Sequence, residues 1–129
     1  MGAFSDTPVL LATGTILPYR FVKISAENSG VVSTATTELV VGVTDGSTKA
    51  FNNGNHCESG DPITLQGGDV VLVEAASAIA YGERVGPTTA GKAAKISTTA
   101  NQICNYVALE SGGAGLILRV MKCNSALSA

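Results

Sequence analysis

Apolar positions along this chain recur mostly at every second residue or in short unbroken runs, and not at the 3.6-residue period of a helix. Seven stretches read as strands on that basis: Arg20–Ser25, Leu39–Thr44, Ile63–Gln66, Val70–Glu74, Ala93–Ser97, Ile103–Leu109 and Leu116–Lys122. They are rich in β-branched residues, which fit a pleated, half-buried surface. Turn residues separate them at Asn28-Ser29-Gly30, Asp45-Gly46, Asn53-Gly54, Gly60-Asp61-Pro62, Gly67-Gly68 and Gly112-Gly113. Gly67-Gly68 lies between two strand patterns and predicts a hairpin. Ala75–Ala80 alone looks helical, and it is too short for more than a turn or two. The pattern predicts an all-β fold, a small β-barrel or sandwich of short antiparallel strands.

Residues 1–18 stand apart. Pro8 and Pro18 bracket the apolar run from Val9 to Leu17, and prolines at both ends disfavour a regular internal strand. Two readings stay open for this segment: an edge strand packed on the barrel, or an extended arm lying on a neighbouring subunit or another protein. In the second reading the arm is separable, so that removing Met1–Leu17 leaves a folded barrel. Residues 19–123 then form the barrel, and the small, polar residues 124–129 a flexible tail.

Composition narrows the function. The chain has 129 residues, 45% of them hydrophobic and only 14% charged, with mean hydropathy +0.29. About 25% charged residues is usual for a soluble domain, so part of this surface is expected to be covered by other chains. No apolar run approaches the roughly 20 residues that cross a bilayer. No basic residue precedes Arg20, so the positive start of a secretory signal is missing. A net charge of −2 without a basic cluster argues against nucleic acid as a partner.

Four constellations could carry chemistry, and each has a plainer explanation. Gly86–Ala93 approaches a phosphate-binding loop, but Ala93 replaces the required hydroxyl and no helical pattern follows, so a Gly/Pro-rich hairpin explains it better. His56 and Cys57 are neighbours, which point to opposite sides of an extended chain, and His56 is the only histidine. The carboxylates Asp45, Glu58, Asp61 and Asp69 are scattered through turns, where aspartate bonds its own backbone, and no calcium-loop spacing joins them. Gly112–Gly115 lacks dinucleotide spacing and reads as a hairpin turn between Leu109 and Leu116. The widely spaced Cys57, Cys104 and Cys123 show no metal-ligand spacing and read as small apolar core residues. No catalytic, cofactor or metal site is predicted.

Three stretches resemble one family. They are Tyr19–Ile24 with Gly30-Val31 and Val41-Gly42-Val43-Thr44, then Ile79–Pro87 continuing to Gly91–Ala94, then Val107–Gly115 running into Leu116–Lys122. In order and spacing these are similar to the small capsid decoration (cement) proteins of phages, which share a β-tulip or SH3-like barrel. The likeness spans most of Tyr19 to Lys122. It implies a non-enzymatic protein of the virion that binds the outer face of the head, clamps neighbouring major capsid protein subunits and resists DNA pressure. It further implies a homo-oligomer, a trimer before a dimer, and an N-terminal arm whose contacts are Phe4, Val9, Leu10, Leu11, Ile16 and Leu17. The alternatives are another assembly component, of a tail or a microcompartment-like shell, and a small ligand-binding barrel using Asp61, His56 or the glycine loops.

Overall fold

β-branched alternation builds ten strands, which the computed structural model describes within residues 10–35, 38–45, 57–96 and 103–126. They are β1 (Leu10–Ala12), β2 (Phe21–Ala26), β3 (Ser29–Val32), β4 (Gly42–Val43), β5 (Pro62–Ile63), β6 (Val70–Glu74), β7 (Arg84–Pro87), β8 (Ala93–Lys95), β9 (Ile103–Ala108) and β10 (Ile117–Ala126). The first sheet has the order β4-β2-β3-β1-β5 and the second β6-β10-β9-β7-β8. In each sheet the two end strands lead into residues that meet: Thr44 bridges Leu65, and Ala75 bridges Ala93. Both sheets thus curl toward closure, which leaves few open edges. The fold is all-β, as the pattern predicts.

β2 shows why two cores form. Successive residues of a strand face opposite sides. Phe21 joins Val43, Val71, Val73, Val85, Tyr106, Leu118 and Val120 in the larger core, filling the mouth of the second sheet. Its neighbour Val22 joins Ala12, Ile16, Cys57 and Ile63 in the smaller core inside the first sheet. The Phe21 and Tyr106 rings lie 5.5 Å apart, centroid to centroid. A polar clamp fastens the same junction. Arg20, almost fully buried, donates to Glu74 Oε1 at 3.1 Å and to the Ala90 carbonyl at 3.1 Å. Lys92 Nζ meets the other Glu74 oxygen at 3.3 Å.

Several expectations are corrected here. Leu10–Ala12 is an internal strand, parallel to β3 on one side and antiparallel to β5 on the other. Pro8 and Pro18 lie outside it, so neither ring interrupts the ladder. Because Ala12 and Ile16 fill the smaller core, removing Met1–Leu17 would take away structural residues, not a detachable arm. Gly67-Gly68 joins β5 to β6, which belong to different sheets, so it is a crossover and not a hairpin. Ala75–Ala80 is not helical: Ala75 and Ile79 make isolated bridges to Ala93 and Gly112. β10 continues through Ala126, three residues into the expected tail. The remaining differences are shorter strands at β4, β5 and β8 and the added strands β3 and β7.

The second sheet contains an internal two-fold that the sequence hides. β6 pairs with β10 and β7 pairs with β9, so the units 70–87 and 103–120 exchange strands. Each position of the first matches the position 33 residues on in the second. Gly82 N donates to Ala108 O and Gly115 N to Ala75 O, both at 2.8 Å. Ala108 N donates to Glu83 O and Ala75 N to Leu116 O, both at 2.9 Å. Ile79 and Gly112 exchange two bonds of 2.9 Å. Gly82 and Gly115 have φ values of 82° and 86°.

One edge is closed by a side chain. The Gln66 amide donates to the Leu72 carbonyl at 2.6 Å and accepts from the Leu72 N–H at 2.8 Å. It stands where a neighbouring strand would, and blocks β6 from pairing with another chain.

A second carboxylate fixes the loop after β3. Glu38 accepts from Lys23 Nζ, from Ser33 Oγ at 2.9 Å and from the N–H groups of Thr34 and Ala35 at 3.1 and 3.3 Å. The Lys23 bond first, then Ser33 and Thr34, hold its carboxyl at about 2 instead of 4.5. A depressed carboxylate stabilises the folded chain fully above its unfolded value and loses that contribution as pH falls through the folded one. The wild-type chain should therefore exceed a Glu38→Gln variant in thermal stability at neutral pH. That difference should shrink between about pH 4.5 and pH 2, as thermal melts across that range would show.

Candidate docking surface

The candidate chemical groups are occupied in structural roles. Cys57 is buried in the smaller core and donates its thiol to the Pro62 carbonyl at 3.3 Å. Burial pushes that thiol up, with the Asp61 and Asp45 carboxylates adding to it, so it is the opposite of an activated nucleophile. His56 lies outside the described residues. Asp61 accepts from the Glu58 N–H at 2.9 Å, the local turn bond expected of it. Segment 86–93 is a β7–β8 hairpin around a one-turn 3₁₀ segment, Thr89–Gly91, and Lys92 is committed to Glu74. Gly112–Gly115 lies in the connection between the antiparallel β9 and β10, as expected. Cys123 is half-buried. Among the described residues no group of three His, Cys, Asp or Glu could hold a metal ion, and no helix is long and apolar enough to cross a membrane.

The surface offers apolar side chains instead. Of the six expected arm contacts, Phe4 and Val9 lie outside the described residues. Leu11 and Leu17 are exposed, at 42% and 36%. Leu10 packs partly buried against the smaller core, and Ile16 lies within it at 1% exposure, so Ile16 is a folding residue and not a surface contact. The structure therefore brings Leu10 and Ile16 into one core and leaves Leu11 and Leu17 outside it.

A second apolar surface went unnoticed in the sequence. On β10 the inward residues Leu118 and Val120 are buried, and the outward Ile117 and Met121 are exposed. Met121 lies opposite Val70 of β6 and Val107 of β9, and Arg119 opposite Leu72. Leu109 N donates to Arg119 O, which brings exposed Leu109 to the same face, and exposed Leu116 leads into it. An antiparallel sheet facing water usually alternates to polar side chains there. Here the outward positions of the β6, β10 and β9 strands are largely apolar. The signal was present in Leu116–Lys122, where apolar residues occupy both parities of the strand.

At the adjacent tip, Tyr81 is 75% exposed on a loop held from beneath. Its N–H donates to Ser111 Oγ at 2.9 Å, and the Ala80 N–H donates to Glu83 Oε1 at 2.8 Å. That backbone bond, ahead of the one to Lys95, lowers the Glu83 carboxyl. Arg119 and Glu110 neutralise each other across 3.4 Å beside the apolar face.

No family model and no curated protein sequence matches the chain. Solved structures do. The N base of the head fiber gp8.5 of bacteriophage phi29 aligns with a TM-score of 0.68 and 17% identity, over 94% of this chain and 96% of that one. A chain of the capsid of Myoviridae phage XM1 aligns with a TM-score of 0.59 and 15% identity, over 93% of this chain and 86% of that one. At such identities the likeness is one of fold. The fold of this chain is one found in proteins of phage heads, and it is shared over nearly its whole length.

Proposed function

We propose that this chain is a non-enzymatic structural component of a phage head, a decoration protein that sits on the outer surface of the shell. The observation that carries this reading is the match to a head-fiber base, in which the shared part is 94% of this chain and 96% of that one and not one motif. The surface agrees with it. The chain presents exposed Leu11 and Leu17 and an apolar face on the second sheet, whereas Asp61 is engaged in a turn and Arg20, Glu74 and Lys92 in a clamp. Its partner in this reading is the major capsid protein, neighbouring subunits of which it clamps against internal pressure, as a homotrimer without cofactor, nucleic acid or membrane. Residues 1–9, with Phe4 and Val9, together with Leu11 and Leu17, form one attachment to the shell.

Purified chain mixed with DNA-filled heads that lack it should co-sediment at a fixed, saturable ratio, and electron cryo-microscopy of the complex should place it outside the shell. A Leu11→Glu, Leu17→Glu double variant, both positions being exposed, should fold normally and bind heads less tightly. Density inside the shell, or no saturable binding, would overturn the reading.

A further inference from the structure

We propose that the outward face of β6, β10 and β9, centred on Ile117 and Met121 with exposed Leu116 at its margin, is the surface that meets the coat, an inference that rests on the decoration reading above. The internal two-fold supplies a control within the molecule. Leu116 and Ile117 correspond to Glu83 and Arg84, 33 residues earlier in the chain. Along the ladders that join the two units the two pairs are equivalent: Ala108 N donates to Glu83 O as Ala75 N does to Leu116 O, and Arg84 faces Val107 as Ile117 faces Glu74. One pair is charged, the other large and apolar. A fold that accepts Glu-Arg at one copy of the site does not require Leu-Ile at the other. The apolar copy therefore answers to something other than the chain's own packing, since an exposed apolar cluster costs solubility without adding to the core.

The size of the face selects its occupant. Three strands about 4.8 Å apart, five residues long at about 3.4 Å each, span an area on the order of 300 Å². A stable pair of free copies needs about 800 Å² from each partner. This face alone is too small to hold a second copy in solution. It suits one contact among several on a lattice that fixes position, where linked weak contacts add. Its central charges, Arg119 and Glu110, cancel each other, so the matching patch on the coat is apolar and uncharged.

The experiment exchanges the twins. A Leu116→Glu, Ile117→Arg variant carries at these positions the residues that the symmetric site already accommodates, and Met121→Glu tests the same face independently. The probe is purified DNA-filled heads assembled without this chain. Both variants should keep the wild-type far-UV spectrum and bind heads at least tenfold more weakly, whereas Arg84→Ala on the twin site should bind as wild type does. Wild-type affinity in a folded variant overturns the proposal and leaves the decoration reading intact. No head binding by the wild-type chain overturns both. Unchanged head binding with altered sedimentation of the free chain assigns the face to a second copy, and also overturns it. If the double variant misfolds, Met121→Glu decides by the same readings.

Discussion

Replacing Phe21 with alanine should lower the unfolding free energy by about 3–5 kcal/mol, the usual cost of emptying an aromatic site in a packed core. Phe21 is fully buried and touches the second sheet from a strand of the first. The vacancy would open beneath Tyr106, whose ring lies 5.5 Å from that of Phe21, and the lost ring contact adds to the transfer term. The backbone of β2 cannot sink into the gap, because Val22 on its opposite face is held in the other core. Urea unfolding should show a lower midpoint with an unchanged slope, the mark of lost stability without a changed native state. A loss below about 1 kcal/mol would mean that the two sheets are not joined through this ring.

Gly91→Ala should be comparably severe, by about 2–4 kcal/mol, from overpacking and left-handed strain together. Gly91 is buried with φ 77° at the turn between β7 and β8. A methyl group there would overlap Val32 Cγ2 and come within 3.2 Å of both Arg20 Cβ and the Phe21 carbonyl. Val32 could rotate, but the Phe21 backbone could not move without disturbing both cores. The displaced turn would also carry Lys92 and the Ala90 carbonyl away from the Glu74–Arg20 clamp. Thermal melts would measure the loss. The exposed Gly67, which has open space where a methyl would sit, is the matching control and should tolerate alanine.

These two sites show what the sequence made legible and what it did not. Val70–Glu74 reads as a strand because four apolar residues precede a single charge, and it forms with those bounds. β7 escaped because Gly86 and Pro87 look like turn residues, although Pro87 occupies the final position of the strand and is buried there. β3 begins inside Asn28-Ser29-Gly30, where Asn28 with φ 58° makes the turn and Gly30 already faces Ile63 and Val22. Strand character is local, but partnership is not: nothing in Gly67-Gly68 tells a hairpin from a step between sheets. The internal two-fold left only Ala75/Ala108 and Gly82/Gly115 identical between its units. The glycines kept their identity because both adopt the left-handed backbone that other residues avoid. For the surface, the prolines drew attention to Val9–Leu17, of which Leu11 and Leu17 are exposed, and away from the apolar outward residues Ile117 and Met121 of β10.

The exchanged strands also set an order of events. β6 is made before its ladder partner β10, which begins more than forty residues later, and β7 must likewise wait for β9. Neither β6–β7 nor β9–β10 can complete the second sheet alone, and pairing across such separations is slow because a long loop must close first. The Val70–Val73 run therefore has no β10 ladder partner until Ile117–Met121 has been made. Completion of the second sheet waits on β10, and the Gln66 side chain caps the β6 edge at Leu72 once that strand has formed.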